Sequence, residues 1–596
     1  MNKLTGKVYH NFETTIMKNK YYRVIPLVIA MLVSEKLLAQ QTHSFIVKVN
    51  QPKAEVQPTL WGIFFEDINF GADGGIYAEL IKNRSFEFSM PLMGWKQQNS
   101  DRYSTNIKSG TALVINRGED LSNHRFARIT ILADNGYGLT NEGFRGMGIK
   151  KNIQYHFSMM ASQHEGSNTT VRIELVDTKG NVMGQATVKP SGKEWKNYTT
   201  SFTAAETEPK AVLNIWFDGK GVMDIDMISL FPNDTWKNRP GGLRNDLVQL
   251  LADLQPGFLR FPGGCIVEGY ELATRYQWKK TVGTIEDREM IINRWNTEFK
   301  HRPAPDYFQS FGLGFFEYFQ LSEDIGAEPL PILSCGMACQ FNSGEVAPME
   351  ALDPYIQDAL DLVEFANGPL DSPWGKVRME MGHPAPFNLK FIGVGNEQWG
   401  SQYIERYKVF ATAIKAKYPK IVLVSGAGPF AEGELFDYAW SELKILNAEI
   451  VDEHYYQKPE WFLKNAGRYD KYDRKGPKIF AGEYAAQSVA TVSPENKNNW
   501  QCALSEAAFM TGLERNADVV YLSSYAPLFA HTEGWQWSPD LIWFDNLKAY
   551  GTPNYYVQKL FSTNRGSKVL PMLYNNEALI GQNGLYASAV KDDKAR

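Results

Sequence analysis

Residues 388–400 read NLKFIGVGNEQWG, a mostly apolar run that stops abruptly at polar residues. The run ends at Gly395, and Asn396, Glu397 and Gln398 follow. A buried strand that ends in this way would hold an acid rigidly at the rim of a parallel sheet. Taken alone, the same letters fit a strand followed by a helix, in which Asn396 is the cap and Glu397 the first-turn charge.

A second stretch of the same kind favours the first interpretation. Residues 478–486 read KIFAGEYAA, again a strand that runs into a single carboxylate, Glu483. Two carboxylates at strand ends are typical of enzymes in which one acid and one nucleophile act on a glycosidic bond.

Around these stretches the chain alternates between strands and helices. Seven strands are predicted at 257–263, 328–336, 388–397, 421–429, 448–456, 478–486 and 518–529. A (β/α)8 barrel needs an eighth strand. Residues 60–67, which end in Glu66 and Asp67, supply it if a β-sandwich is inserted in the first strand-to-helix connection. We prefer this arrangement to an open seven-stranded sheet because residues 60–67 end in carboxylates, as the strands that lead to Glu397 and Glu483 do.

The remaining segments complete an α/β fold with two further sheet regions. Residues 40–59 contribute an N-terminal strand of a terminal β-sandwich, and 60–89 hold the first barrel strand and its connection, with a short helix at 75–84. Short alternating runs at 90–233 predict the inserted β-sandwich. Residues 234–562 form the rest of the barrel. Residues 563–596 look like the start of a C-terminal β-sandwich that is incomplete, since such a domain takes about 100 residues.

Composition excludes several classes of function. The 596 residues carry a net charge of −5 without a basic patch, so we expect no nucleic-acid partner. Residues 1–39, with the true start at Met17, resemble an export signal whose apolar run is too short for a stable membrane span. We therefore expect an exported protein, in the periplasm, at the cell surface or secreted.

The four cysteines do not suggest a disulfide scaffold or a metal centre. They are Cys265, Cys335, Cys339 and Cys502. The closely spaced pair at 335 and 339 lacks the neighbouring histidines of a metal site, so we interpret these cysteines as mostly buried thiols. No metal or organic cofactor is implied.

Several longer motifs resemble a known family. GVGNEQWG around Glu397 and FAGEYAA around Glu483 resemble the acid/base and nucleophile motifs of clan A glycoside hydrolases, at the ends of barrel strands four and seven. LRFPGGCIVEG (259–269), the stretch 64–87 and DEHYY (452–456) are together similar to glycoside hydrolase family 51, the α-L-arabinofuranosidases. The inserted sandwich resembles a family 4-like carbohydrate-binding module. The resemblance covers roughly residues 45 to 596.

The resemblance implies a role for each of the two carboxylates. Glu483 would be the nucleophile and Glu397 the acid/base of a retaining mechanism, which needs carboxyl groups about 5–5.5 Å apart. We expect the charge on Glu483 to raise the pKa of Glu397 and to keep it protonated until the glycosyl-enzyme forms.

The resemblance also implies six substrate-binding residues: Glu66, Arg260, Asn396, Trp399, His454 and Tyr456. Glu66 would bind sugar hydroxyls, or be a solvated strand end. Arg260 would orient a catalytic carboxylate through a bidentate pair, or form a structural ion pair. Asn396 would hydrogen-bond the sugar 2-hydroxyl.

The other three residues come from strand ends near the two carboxylates. His454 and Tyr456 match the family's pair near the nucleophile, and Trp399 would be a sugar platform or rim packing. Cys265 stands where many members have Asn, which puts one sugar contact in doubt. The stretch 535–545 matches one branch of the family, so Trp537 and Asp540 receive no role.

The implied function is hydrolysis of terminal non-reducing α-L-arabinofuranosides in arabinan or arabinoxylan, by an exo-acting, retaining glycosidase. The partner would be a plant polysaccharide or oligosaccharide containing arabinose, and a homo-oligomer is left open. One alternative is another clan A glycosidase, such as an endoglucanase or xylosidase, which would have an open cleft instead of a pocket. A second is a non-catalytic glycan-binding protein, against which the presence of both Glu397 and Glu483 argues.

Overall fold

The computed structural model describes residues 44–99, 109–118, 121–134 and 136–592. The predicted export segment, 1–39, lies outside these ranges. Among the helices within them, none has the length and apolar character needed to cross a bilayer.

Eight parallel strands, adjacent in chain order, form the barrel at the centre of the molecule. Apolar side chains cover both faces of most of them, as expected for a parallel sheet enclosed by helices. The strands are Ile63–Phe64, Phe258–Phe261, Glu328–Leu333, Phe391–Val394, Val422–Gly426, Ile450–Gln457, Lys478–Ala486 and Val520–Tyr525. The predicted (β/α)8 barrel is confirmed; Glu397 follows its fourth strand and Glu483 lies in its seventh.

The barrel closes between its first and last strands through a few hydrogen bonds. The Gly62 N–H donates to the carbonyl of Ser523 at 3.0 Å, and the Ser523 hydroxyl donates to the carbonyl of Leu60 at 2.8 Å. Inside the barrel, apolar side chains from strands two to eight pack with Val267 into a compact cluster. The barrel is thus a filled core that can hold side chains at its rim.

Helices cover the outside of the barrel. The α-helices are Asn245–Asp253, Cys265–Glu268, Phe315–Ile325, Asp353–Asn367, Pro373–Glu380, Ser401–Lys417, Glu434–Ile445, Pro459–Lys464, Trp500–Arg515 and Pro553–Thr563. Single 3-10 turns lie at Trp236–Asn238, Leu272–Thr274, Trp278–Thr281, Ile285–Asp287, Arg294–Asn296, Met349–Ala351, Arg468–Lys471 and Gln582–Gly584.

Two elements differ from the sequence-based expectation. The helix predicted at 75–84 is wrong, because this segment is irregular and bonded to the inserted sandwich. The Glu79 carboxylate accepts the backbone N–H groups of Ile81 and Leu230, both at 2.9 Å. The last helix, which the sequence predicts at about 547–562, begins only at Pro553. The preceding residues form a small sheet of Phe529–His531, Ile542–Phe544 and Ala549–Gly551.

The inserted β-sandwich is confirmed, and its described residues form ten antiparallel strands. Its strands are Trp95–Gln98, Gly110–Asn116, Arg125–Ile131, Tyr137–Asn141, Met147–Ile149, Gln154–Gln163, Asn168–Val176, Val182–Val188, Lys196–Thr203 and Glu208–Pro232. Buried residues alternate with more exposed ones, so each sheet has one apolar face towards a shared core. The 25-residue strand Glu208–Pro232 pairs in both sheets.

Segments from near both ends of the described chain share a terminal sheet region. Ile46–Val47 pairs with Met572–Tyr574, which pairs with Glu577–Ala578. Ala54–Glu55 pairs with Lys568–Leu570, which pairs with Ala589–Lys591. A separate two-stranded ribbon joins Ile291–Ile292 to Phe308–Gln309.

Candidate active site

The two strand-end carboxylates meet at one mouth of the barrel. Glu397 lies just after the fourth strand, and Glu483 lies within the seventh. A carboxylate oxygen of each and a ring nitrogen of His454 lie within 4.8 Å of one another. This separation suits a double displacement, in which the carboxyl groups are about 5–5.5 Å apart.

Arg260, from the second strand, binds several of the side chains at this mouth of the barrel. Its guanidinium is fully buried and lies over the ring of Phe64 at 4.9 Å. One terminal nitrogen donates to Asp452 at 3.0 Å, and the other donates to Glu483 at 2.9 Å. The expected bidentate pair with one carboxylate is therefore wrong. Instead each terminal nitrogen of Arg260 binds a different acid. Asp452 lies on the sixth strand, next to the strand of Glu483, and is about as close to Arg260 as Glu483 is.

Two opposing influences act on the Glu483 carboxylate. Burial raises its pKa, while the positive charges of His454 and Arg260 oppose that rise and the negative charge of Glu397 adds to it. The Tyr456 hydroxyl also donates to Glu483 at 2.7 Å. The carboxylate is thus held by an ion pair and a hydroxyl donor that fix its orientation.

His454 sits between the two catalytic candidates. Its Nδ1 is 2.7 Å from Glu397 and 3.7 Å from Glu483, and its Nε2 is 3.2 Å from Asp452. Burial disfavours the charged ring, but the charges of Glu483 and Asp452 outweigh burial and raise the pKa of His454 to about 10.

The protonation of Glu397 differs from the expectation. Burial raises its pKa, but the hydrogen bond from His454 and the charge on that ring outweigh burial, so the pKa of Glu397 is lowered. In the unliganded site, the proton that we expected on Glu397 therefore lies on His454, whose Nδ1 is 2.7 Å from the Glu397 carboxylate. Glu397 and His454 together hold the proton that a leaving group would need.

Glu66 lies across the mouth from the acid/base candidate. It is buried and accepts the backbone N–H of Ile266 at 2.9 Å. Burial, together with the negative charge of Glu483, raises its pKa to about 8. The solvated strand end that we considered is thus wrong, and a Glu66 carboxyl that keeps its proton near neutral pH can both donate to and accept from a sugar hydroxyl.

Glycines create the space in which these carboxylates approach one another. A Cβ added to Gly264 would lie 2.9 Å from Oε1 of Glu483 and 3.4 Å from Oε2 of Glu66. Gly395 has φ +76°, and a Cβ there would lie 2.4 Å from the Gln398 side chain. Glu397 itself has φ +51°, a strained conformation typical of functional positions.

Asn396 and Trp399 lie beside the site and are engaged by protein groups. The Asn396 side chain accepts from Arg260 at 2.5 Å and donates to Glu268 at 3.3 Å, and its sugar contact stays a prediction. Trp399 packs against Phe341 and Phe430, with ring centroids 4.9 Å and 5.6 Å away. Both phenylalanines line the cavity, so Trp399 supports its aromatic rim.

A cavity of about 560 Å³ opens above the carboxylates. Its lining includes Glu66, Glu397, Tyr456 and Glu483 from the predicted site. It also includes residues that the sequence analysis missed or left without a role: Arg294, Trp295, Phe299, Phe341, Phe430 and Trp537. These residues come from loops after barrel strands, and the only sequence signal is the aromatic content of those loops.

Cys265 also lines this cavity and is the one half-exposed cysteine of the four; the other three are buried. Its thiol donates to Oε2 of Glu397 at 3.5 Å. The residue that departs from the family pattern therefore still contacts the acid/base candidate. The expectation of mostly buried thiols is confirmed for Cys335 and Cys339.

Comparison with known proteins places the chain. Residues 250–474 match the family model for the alpha-L-arabinofuranosidase 1 domain, residues 482–590 match the alpha-L-arabinofuranosidase C-terminal domain, and residues 78–220 match a carbohydrate binding domain. Alpha-L-arabinofuranosidase 1 of Arabidopsis thaliana is 34% identical over 528 residues, which are 86% of this chain and 73% of that protein. The chain belongs to glycoside hydrolase family 51, the α-L-arabinofuranosidases.

Other members of family 51 agree with this assignment. An extracellular exo-alpha-L-arabinofuranosidase of Streptomyces chartreusis is 44% identical over 549 residues, which are 89% of this chain. The aligned region spans 62% of the length of that relative. The arabinose-bound structure of the α-L-arabinofuranosidase MgGH51 superposes with a TM-score of 0.81 at 32% identity, covering 93% of this chain and 87% of that one. The predicted family and its inserted carbohydrate-binding module are confirmed.

Proposed function

We propose that this protein hydrolyses terminal non-reducing α-L-arabinofuranosides with retention of configuration. The observation that carries the proposal is the approach of Glu397 and Glu483 to within 4.8 Å at the mouth of the barrel in a family 51 chain. The relatives that are named α-L-arabinofuranosidases support the choice of sugar.

In the first step Glu483 attacks the anomeric carbon of the arabinofuranose. The nucleophile must be ionised, and the buried Arg260 guanidinium at 2.9 Å stabilises its negative charge. The Tyr456 hydroxyl fixes the second oxygen at 2.7 Å. The bond between the anomeric carbon and the leaving oxygen breaks as the ester to Glu483 forms, and this reaction consumes the charge on Glu483.

The proton for the leaving oxygen comes from the Glu397–His454 pair. The His454 ring passes its Nδ1 proton across 2.7 Å to Glu397, and Glu397 delivers this proton to the leaving oxygen. Once Glu483 is esterified, the largest charge that raises the pKa of His454 is gone. The deprotonated pair then takes a proton from water, and the oxygen of that water attacks the anomeric carbon. The bond between this carbon and Glu483 breaks, and arabinose is released.

The shape of the site favours an exo-acting enzyme. The cavity is a pocket of about 560 Å³, closed on several sides by aromatic side chains such as Trp295, Phe299 and Trp537. A pocket accepts a chain end, whereas an endoglucanase needs an open cleft for the middle of a chain. Arabinan and arabinoxylan side chains present such ends, and we propose them as substrates.

We also propose that the protein is exported. The Streptomyces chartreusis relative is described as extracellular, and the polymeric substrates proposed here lie outside the cell. The compartment could be the periplasm, the cell surface or the medium. Fractionation of cells with an activity assay on each fraction tests this, and activity confined to the cytoplasm would contradict it.

The activity is tested by comparing variants on substrates whose leaving groups differ in acidity. We expect Glu483→Gln to lower kcat/KM by about 10³-fold or more on every aryl α-L-arabinofuranoside. Glu397→Gln should lower kcat/KM far more for a phenyl than for a nitrophenyl α-L-arabinofuranoside, because a good leaving group needs little protonation. Glu495→Gln, an exposed residue, is the matched control.

Two further measurements separate the alternatives. A panel of aryl α-L-arabinofuranoside, β-D-xyloside and β-D-glucoside should show hydrolysis of the arabinofuranoside first, and a preference for either other sugar supports another clan A glycosidase. Wild-type turnover by Glu483→Gln would leave no catalytic role for this residue. Proton NMR of the first product should show the retained anomer, and an inverted anomer would contradict the double displacement.

A further inference from the structure

Three side chains with metal-binding atoms converge beside the cavity, and two of them, Cys265 and Cys339, line it. The proposed reaction uses none of the three as acid, base or nucleophile. Cys265 and Glu268 lie one turn apart on the short helix Cys265–Glu268, so they share a face. Cys339 comes from the loop after the third barrel strand. The two sulfurs and a carboxylate oxygen of Glu268 lie within 4.8 Å of one another.

Protein hydrogen bonds hold this cluster in place. The Cys339 backbone N–H donates to the carbonyl of Gly269 at 3.2 Å, which joins its loop to the end of the short helix. The Glu268 carboxylate accepts from Gln398 at 2.8 Å and from Asn396 at 3.3 Å. All three side chains are thus positioned by groups outside the cluster, as ligands of a built site are.

We propose that Cys265, Cys339 and Glu268 form a binding site for a thiophilic divalent cation of the Zn²⁺ and Cd²⁺ class. Tetrahedral bonds of about 2.3 Å to sulfur place two sulfur ligands roughly 3.8 Å apart, so the cluster needs to contract by at most about 1 Å. Binding displaces to solvent the protons of the two thiols and that of the Glu268 carboxyl, whose pKa is raised by burial. Oε2 of Glu397, 3.5 Å from the Cys265 sulfur, or a water from the cavity would be the fourth ligand.

The charge around the cluster is compatible with this ligand set. Two thiolates and one carboxylate carry three negative charges, and a divalent cation neutralises two of them. Arg294 interacts electrostatically with Cys265, Cys339 and Glu268 and offsets the third charge. Its Nε and Nη1 are buried without a hydrogen-bond partner among the described residues, so it remains available to the cluster.

A bound cation would stand next to the acid/base residue and reduce the room for a sugar. It would also end the hydrogen bond that the Cys265 thiol donates to Glu397, because the thiol loses its proton. Cation and substrate should therefore exclude one another, and this consequence rests on the proposed function. The binding itself does not depend on that function.

The test is a titration of the reduced protein with Cd²⁺, followed by thiolate-to-metal charge-transfer absorption in the ultraviolet. We expect about one equivalent per chain. Cys339→Ser and Cys265→Ser should each weaken binding about tenfold or more, because each removes a ligand. Cys502→Ser, which removes a buried thiol that does not line the cavity, should leave the titration unchanged.

The readout distinguishes this site from the other group of ligating residues near it. Glu397, His454 and Glu483 also lie within 4.8 Å of one another but contain no sulfur, so a cation there gives no charge-transfer band. Circular dichroism and the melting temperature verify that each variant is folded.

Absence of the band in folded, reduced wild type overturns the proposal, as does an undiminished band in both Cys265→Ser and Cys339→Ser. Zn²⁺ should inhibit the hydrolysis of an aryl arabinofuranoside by the wild type. A smaller fractional inhibition of Cys339→Ser, measured against the rate of that variant without Zn²⁺, supports the exclusion of substrate by the cation. A protein that gives the band but hydrolyses no arabinofuranoside supports the site and contradicts the proposed function.

Discussion

At the residue scale, one proton and two carboxylates determine what the site can do. Glu483 is stabilised as an anion by Arg260, whereas Glu397 shares its proton with His454. The two acids lie close together but have different partners, and different partners give different protonation states. These contacts are compatible with the proposed roles of Glu483 as nucleophile and Glu397 as acid/base.

His454→Gln tests the shared proton. Without the ring, the proton must sit on Glu397 itself, whose carboxyl releases it at a much lower pH than a histidine with a pKa of about 10. We expect the alkaline limb of the pH profile of kcat/KM to move to lower pH. The rate on a phenyl arabinofuranoside should fall about 10²-fold.

The control for this change is His156→Gln, which alters an exposed residue of the inserted sandwich. It should leave both the rate and the pH profile as in the wild type. An alkaline limb that stays in place in His454→Gln would show that the histidine does not hold the catalytic proton.

Gly264→Ala tests the space beside the nucleophile. The added Cβ would lie 2.9 Å from Oε1 of Glu483, so the carboxylate must move away from its bonds to Arg260 and Tyr456. A displacement of this kind costs about 10²-fold in kcat. Steady-state kinetics measure it, and an unchanged kcat would mean that the loop yields instead of the carboxylate.

Gly476→Ala is the matched control for the glycine change. A Cβ there would meet its nearest atoms at 3.5–3.6 Å, an ordinary contact. It lies in the connection before the seventh strand, away from the carboxylates, and should leave kcat unchanged.

At the scale of elements, the seventh strand and the helix after it position the nucleophile. The strand Lys478–Ala486 is buried along most of its length, and Trp500–Arg515 packs against it. The Ala486 backbone N–H donates to Glu506 of this helix at 2.7 Å. The helix begins where the Asn499 side chain accepts the Cys502 N–H at 2.9 Å.

Asn499→Ala should destabilise the protein by about 1 kcal/mol, because it leaves a helix N-terminal N–H without its cap. Asn499→Asp keeps an acceptor at the same place and should restore stability. Thermal unfolding followed by circular dichroism measures both. Equal melting temperatures for Asn499→Ala and the wild type would mean that another group replaces the cap.

At the scale of the whole molecule, the burial of carboxyl groups links stability to pH. Burial raises the pKa of Glu66 and Glu506 to about 8 and that of Asp67 and Asp226 to about 7. The folded state therefore binds more protons than the unfolded state between the usual carboxyl pKa and these values. Stability must fall as pH rises through that interval.

We expect the melting temperature to be lower at pH 8.5 than at pH 6. His454 contributes in the same direction, since its folded pKa of about 10 gives stability that is complete below its unfolded pKa and is lost as pH rises towards 10. His531 opposes this trend at the lower end of the range, because burial lowers its pKa to about 4 and its contribution to stability rises with pH until the unfolded ring has lost its proton, at about pH 7. Differential scanning calorimetry across this range checks the prediction.

Glu506→Gln isolates the contribution of one carboxyl group to the pH dependence of stability. A neutral amide can replace the protonated acid without titrating, so the fall in melting temperature with pH should become shallower. A melting temperature that rises from pH 6 to pH 8.5 in the wild type would contradict the assignment of raised pKa values.

The sequence by itself determined the class of fold and the two principal carboxylates. Strand and helix periodicity is a local property, so runs such as 478–486 could be placed along the chain and counted into a barrel. A strand that ends in a single acid is also a local signal, which is why Glu397 and Glu483 could be assigned to strands four and seven.

Only the tertiary structure decided which groups surround those acids. The division of Arg260 between Asp452 and Glu483, the storage of the proton on His454, and the approach of Cys339 to Cys265 join residues that are far apart in the chain. The predicted helix at 75–84 failed for the same reason, since Glu79 binds the backbone of the distant Leu230. Such contacts depend on how strands and loops pack in space, and no local pattern of residues encodes them.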